Sequence, residues 1–318
     1  MRIVLLGPQR RPTLEGVVRS LGLSGPGLAG PVATITAGWQ EREPDDALLA
    51  DLLEGRAVNL ALYRRWLDVQ DRDPEYRAGE QRLADVLAAL QELYLLRLDY
   101  ALQAVYAVQR RFAPASASGD ALGEALEAVR ELDAAHLRRV NEARLEFFDR
   151  LRPHDRPVIA ENRAAVSAVL ANAAALVIAG GHVGVLAEVL HLFNVAAALN
   201  GAPVIAWSAG AMALTDRIVL FGDRSPQGPG HPEVYGSGLS LVRDVVLLPH
   251  ARARLLLDDA ARMAVLARRF GPARCVPLET GTRIDLGTGD GAGDGDAAWP
   301  VGTRVLGPDG RVAGTEAA

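Results

Sequence analysis

The chain has 318 residues, and its 34 basic and 39 acidic side chains leave a formal charge of −5, which supplies no electrostatic reason to hold nucleic acid or an anionic membrane. Apolar residues at 49% and charged residues at 23% are ordinary for a globular chain and exclude disorder over most of its length. Every basic residue is Arg, so a lysine nucleophile, a Schiff base and a Walker lysine are all ruled out, and a single cysteine, Cys275, rules out an intrachain disulfide framework.

In chain order, Arg2 to Leu6 is a short apolar run closed by Gly7-Pro8, the pattern of a buried parallel strand. It is too short for the apolar region of a secretory signal, and no charge-free stretch is long enough to span a membrane. With the lone cysteine, this gives the expectation of a cytoplasmic protein. Thr13 to Leu21 reads as a helix and Val32 to Thr36 as a second strand. Pro44-Asp45-Asp46 is a helix start, with proline in the first turn and acids at the positive end of the dipole. From about Tyr76 the three/four spacing of Leu83, Val86, Leu87, Leu90, Tyr94, Ala101, Val105, Val108 and Phe112 predicts a long amphipathic helix. A break at Pro114 to Gly119 separates it from a second, with Leu122, Leu126, Val129, Leu132, His136, Val140, Ala143, Phe147 and Leu151 on one stripe. The pair reads as a helical hairpin whose stripes need the main domain or a second subunit to cover them.

After Pro157 short strands and helices alternate: helix 164–172, strand 174–179, helix 185–199, strand 203–206, strand 245–248 and helix 254–270. That alternation implies a mostly parallel sheet covered by helices on both faces. Strands at 282–286 and 302–306 flank a Gly/Asp-rich linker, and Pro308-Asp309-Gly310 turns into a last strand, which makes a C-terminal β-hairpin. The division that follows is an α/β core of residues 1–40 and 165–318 with a helical insertion at 41–164.

The sharpest local feature is Val204-Ile205-Ala206-Trp207-Ser208-Ala209-Gly210-Ala211-Met212. Small residues around a serine between a strand and a helix suit a nucleophile elbow, because the turn is crowded and the hydroxyl must project. The same pattern also fits a strand-to-helix turn in which Ser208 is an N-cap. Gly180-Gly181, at the end of another strand, brings further N–H groups that can join that of Ala209 in an oxyanion hole. A base is needed, and of six histidines only His250 follows a strand at the same sheet edge. Glu279, Asp223 and Asp216 are the acids within reach to orient it. Other groups read as structural: His136 as a packed histidine on the helix stripe, Asp133-Ala134-Ala135-His136 as a ligand spacing without a partner motif, and Asp290, Asp294 and Asp296 as a solvated loop. No metal and no cofactor is expected.

These residues resemble the serine peptidases that include aspartyl dipeptidase and cyanophycinase, which have a class I glutamine-amidotransferase-like α/β fold. Trp207-Ser208-Ala209-Gly210-Ala211 is similar to the family's nucleophile motif, and Gly180-Gly181 to the glycine pair before it. Gly238-Leu239 with Pro249-His250, Arg252, Arg254 and Leu255 is similar to the segment that carries the base, and Leu278-Glu279-Thr280-Gly281-Thr282 to the acidic motif. The resemblance implies Ser208 as nucleophile, His250 (42 residues later) as general base and Glu279 (71 residues later) as the orienting carboxylate. Asp223 matches an acidic position near the dipeptidase site and is expected to face substrate or to support the site. His182 stands where the family often has Asn, and Ala206 where it has Gly. Arg217, Arg224, Arg252 and Arg254 lie near the site residues in sequence, and Arg252 is taken with His182 and Asp223 as substrate-binding. The expectation is a serine hydrolase acting on a small peptide or acyl-amino-acid amide through an acyl-enzyme. An acyltransferase or amidase of a biosynthetic pathway stays open, as does a non-catalytic binding protein that uses the helical insertion. A homodimer through the hairpin, or a hairpin folded over the site as a lid, is compatible with the same pattern.

Overall fold

A computed structural model describes residues 1–9, 13–23, 30–111, 115–223, 230–287 and 299–315. Arg224, Asp290, Asp294, Asp296 and most of the Gly/Asp-rich linker lie outside the described residues.

Along the chain, β1 (Ile3–Leu6), α1 (Thr13–Ser20) and β2 (Val32–Ile35) lead through a 3-10 turn (Ala37–Arg42) to α2 (Ala47–Leu52) and β3 (Ala57–Asn59). Then come α3 (Leu62–Arg72), α4 (Pro74–Gln109), α5 (Ala115–Leu151) and α6 (Pro157–Ala171). The α/β pattern resumes with β4 (Ala175–Ile178), α7 (Val183–Leu192), β5 (Val204–Trp207) and the short α8 (Ala209–Met212). After β6 (Ile218–Leu220) and β7 (Glu233–Gly236) come β8 (Val245–Pro249), α9 (Ala251–Arg254) and α10 (Ala260–Phe270). The chain closes with β9 (Arg274–Leu278), β10 (Arg283–Leu286), β11 (Arg304–Leu306) and β12 (Val312–Gly314).

The main sheet has the order β10-β1-β5-β4-β2-β3 and is parallel except at β10, which runs antiparallel to β1. Its inner strands β1, β5, β4 and β2 are buried on both faces, which is why they read as unbroken apolar runs. Val4, Leu6, Val177 and Ile205 point to one side, under α1 and α2, where Leu14, Val17, Leu49 and Leu53 meet them. Ile3, Leu5, Ile178, Val204 and Ala206 alternate to the other side, with the larger share of the helices. A second sheet, β12-β11-β9-β8, holds the parallel pair β8 and β9, and β11 with β12 forms the C-terminal hairpin. Mixed α/β architecture with a mostly parallel, helix-flanked sheet is therefore present.

The 41–164 segment is not wholly helical. Ala57–Asn59 adds to the edge of the main sheet, parallel to β2. Glu43 is buried, and its carboxylate accepts the Tyr63 and Arg64 N–H groups at 3.0 and 2.9 Å, at the start of α3. The long hairpin α4–α5 covers its inner stripe against α10, β7 and α3. One buried knot fixes it there. Asp133 of α5 receives Arg269 of α10 through two 2.7 Å bonds, while the Tyr94 hydroxyl donates to Asp133 at 2.8 Å and accepts from Arg269 at 2.9 Å. His136 stacks on Tyr94 with ring centroids 4.0 Å apart, and its Nε2 lies 2.8 Å from the Gln91 carboxamide oxygen. Burial lowers its pKa, as expected of a packed histidine. Val86, Leu93, Leu96 and Tyr100, on the outer side of α4, are exposed. No helix among the described residues is long and apolar enough to cross a membrane.

Candidate active site at the carboxyl edge of the sheet

β5 lies between β1 and β4, so Ser208 leaves the middle of the main sheet at the carboxyl ends of its parallel strands. Its backbone takes φ 52° and ψ −120°, a strained conformation for a residue with a Cβ. The Ser208 N–H donates to the Leu6 carbonyl at 3.2 Å, and its own carbonyl accepts from Met212 at 3.1 Å. Its side chain makes no capping bond, which departs from an ordinary N-cap serine.

The glycines around it are there for space. A Cβ on Gly210 would fall 2.6 Å from the carbonyl oxygens of Ile178 and Ala179, so only glycine lets α8 start this close to β4. A Cβ on Gly180 would stand 3.1 Å from the Ser208 Cβ, which puts the glycine pair directly beside the serine. Gly181 has φ 126° and packs on the Gly38 backbone, and the His182 N–H donates to the Gly38 carbonyl at 2.8 Å. The N–H groups of Gly180, Gly181 and Ala209 have no acceptor among the described residues. At Ala209 this follows from its place as the first residue of a helix.

His250 and Glu279 come from the second sheet. Parallel pairing sets Pro249 of β8 opposite Leu278 of β9, so the two residues leave the ends of adjacent strands. The His250 N–H donates to the Leu278 carbonyl at 3.0 Å, and Glu279 Oε1 accepts the Arg252 N–H at 2.7 Å. The Glu279 carboxylate thus sits at the start of the turn that follows His250. Arg252 itself is exposed.

Gly7 links the two sheets. It directly follows β1, whose Leu6 carbonyl holds Ser208, and a Cβ on it would overlap the Glu279 carbonyl. Its N–H donates to Thr282 at 3.0 Å, in the turn between β9 and β10. Ser208, Gly180, Gly7 and Glu279 are therefore gathered at one edge, with His250 beside Glu279. Gly7 and Gly38 were missed by sequence reasoning, because a glycine needed for a nonlocal backbone approach looks like any other turn glycine.

Two acidic candidates, Asp223, expected to face substrate or to support the site, and Asp216, expected within reach of the base, are held by other contacts. Asp223 has a fully buried side chain, with Oδ1 taking Arg262 at 2.6 Å and Oδ2 taking the Leu256 N–H at 3.1 Å. It presents no surface to substrate and instead ties the segment after His250 to α10, the supporting role. Asp216 lies beside Val242, at the opposite end of β8 from His250, roughly 16 Å away at the rise of an extended strand. Burial raises its pKa, but its position removes it from the base. His182 is exposed and caps α7, its Nδ1 accepting the Val185 N–H at 3.2 Å. Cys275 is buried, and its thiol is pushed up to about 12, which leaves no nucleophile there. Among the described residues no group of three or more His, Cys, Asp or Glu side chains is arranged to hold a metal ion.

No protein-family model matches the chain, and no curated protein matches it. Among solved structures it is similar to a peptidase from an acI-B1 Actinobacterium, at 15% identity over 89% of this chain and 82% of that one, with a TM-score of 0.40. That likeness is too loose to transfer a site from one chain to the other.

Proposed function

We propose that this protein is a serine hydrolase that cleaves a small peptide or an acyl-amino-acid amide. In this reading the Ser208 hydroxyl attacks the substrate carbonyl while His250 takes its proton and later passes it to the leaving amine. Glu279 orients the imidazole and offsets its charge. The N–H groups of Ala209 and of Gly180 or Gly181 receive the oxyanion. Water then attacks the ester, with His250 again as base, and releases the acid and the free serine.

The observation that carries this reading is the strained Ser208 backbone, set against Gly180 at the start of α8, with the N–H groups of Gly180, Gly181 and Ala209 lacking an acceptor among the described residues. Strain of this kind persists only where the surrounding structure over-determines it, and it clusters at active sites. The motif resemblance to aspartyl dipeptidase and cyanophycinase supports the same chemistry and suggests the class I glutamine-amidotransferase-like fold.

The test combines a fluorophosphonate label, located by peptide mass spectrometry, with turnover on a library of short aspartyl, β-aspartyl and N-acylated peptides. Labelling at Ser208 is expected, together with a loss of at least about 10³ in turnover for Ser208→Ala and for His250→Ala. Wild-type turnover in Ser208→Ala would end the proposal.

A further inference from the structure

A cavity of about 680 Å³ opens between α3, the α4–α5 hairpin, α7 and β7, within the range of roughly 300–1,000 Å³ typical of small-molecule sites. Its wall is mostly apolar, with Leu87, Val140, Trp66 and Tyr235 among its residues. One carboxylate in it is unusually placed. Glu80 Oε2 accepts Gln70 Nε2 at 2.6 Å and Trp66 Nε1 at 3.0 Å, and Oε1 shares the indole N–H at 3.2 Å. These donors are neutral and all come from α3. The other acid, Glu188, has Arg144 at 3.7 Å, and Arg77 is exposed. Among the described residues Glu80 has no cation within ion-pair distance.

We infer that this cavity binds an organic cation, an ammonium group on an apolar body, with the charge against Glu80 and the body against Trp66, Leu87 and Val140. A half-buried carboxylate gains most from a counter-ion brought by the ligand, and the Trp66 ring adds an attractive face for the same cation.

The cavity also touches α7, through Glu188. The Tyr235 hydroxyl lies 2.5 Å from where a Cβ on Gly184 would fall, so glycine alone leaves room for it. Gly184 and Glu188 are one turn apart on α7, the helix that begins just after Gly180-Gly181. The ligand therefore meets α7 at Glu188, one turn beyond Gly184, and none of the serine-site residues lines its cavity. Binding there does not depend on the serine chemistry and is measurable in Ser208→Ala.

The test is calorimetric titration of the whole protein, wild type and Ser208→Ala, with 2-phenylethylammonium and with the uncharged 2-phenylethanol at pH 8. Saturable 1:1 binding of the ammonium is expected in both proteins, at least ten-fold tighter than the alcohol. Glu80→Gln should weaken it at least ten-fold, and Ala88→Trp, at an exposed cavity-lining position, should abolish it by filling the space. Affinity should also fall from pH 8 to pH 6. Burial and the neighbouring Glu188 hold the Glu80 carboxyl up at about 7, while Arg144 pulls the other way; Arg77 and Tyr235 face the same space. Equal affinity for amine and alcohol, no saturable amine binding, or binding indifferent to Glu80→Gln and Ala88→Trp would each overturn the inference. Loss of peptide turnover with cation binding intact would instead fall on the serine mechanism.

Discussion

Ser208 carries a backbone conformation that costs a non-glycine residue on the order of 1–3 kcal/mol. Replacement by Gly relieves that strain, whereas replacement by Ala keeps it. After the added freedom of glycine in the unfolded chain, Ser208→Gly should still unfold about 1 kcal/mol harder than Ser208→Ala in urea, and neither should accept the serine label. Gly210→Ala goes the other way. Its methyl would meet two carbonyl oxygens at 2.6 Å, and such overpacking costs typically about 1–3 kcal/mol, visible as a lower melting temperature. Glu80 supplies a pH signature. Its ordinary value of 4.5 is raised to about 7, so between these limits the folded chain keeps a proton that the unfolded chain has lost. Stability therefore falls as pH rises through that window and stays lower above it. The unfolding free energy of Glu80→Gln relative to wild type should grow by up to about 3 kcal/mol between pH 4.5 and pH 8, measured by denaturant titration at each pH.

At the scale of elements, legibility followed burial. β1, β2, β4, β5 and β8 are apolar runs closed by Gly, Pro or polar residues, and each lies within two residues of where the pattern puts it. β3 escaped notice because three residues at a sheet edge, ending in the polar Asn59, carry no such run. The helix expected over 254–270 begins only at Ala260: α9 ends at Arg254, Asp223 takes the Leu256 N–H, and Asp259 caps the new helix by accepting the Arg262 N–H. The serine turn and glycine pair stood out locally, while the Gly7 and Gly38 contacts arise only when distant backbones meet. The tie of the hairpin to α10 was equally hidden, since Asp133 had no visible partner 136 residues away. Removing that partner from a buried pair costs about 3–5 kcal/mol. Asp133→Ala should show that loss in guanidinium unfolding, and a local rise in hydrogen exchange where α5 and α10 meet would locate it.

Across the whole molecule, the serine is carried by one sheet and the histidine and glutamate by another, with Gly7 at the junction. Gly7→Ala should therefore slow serine labelling while the melting temperature falls by only a few degrees, because the clash moves the 279–282 turn more than either core. The same arrangement has a meaning for folding. β1 and its neighbour β10 stand some 280 residues apart in sequence, so their pairing closes a very long loop. Until it forms, the turn from Glu279 to Thr282 is not held against Gly7, and β1 has an open edge on that side. The serine turn needs only β1, β4 and β5, so a folding chain can set Ser208 in place while His250 and Glu279 are still unattached to it.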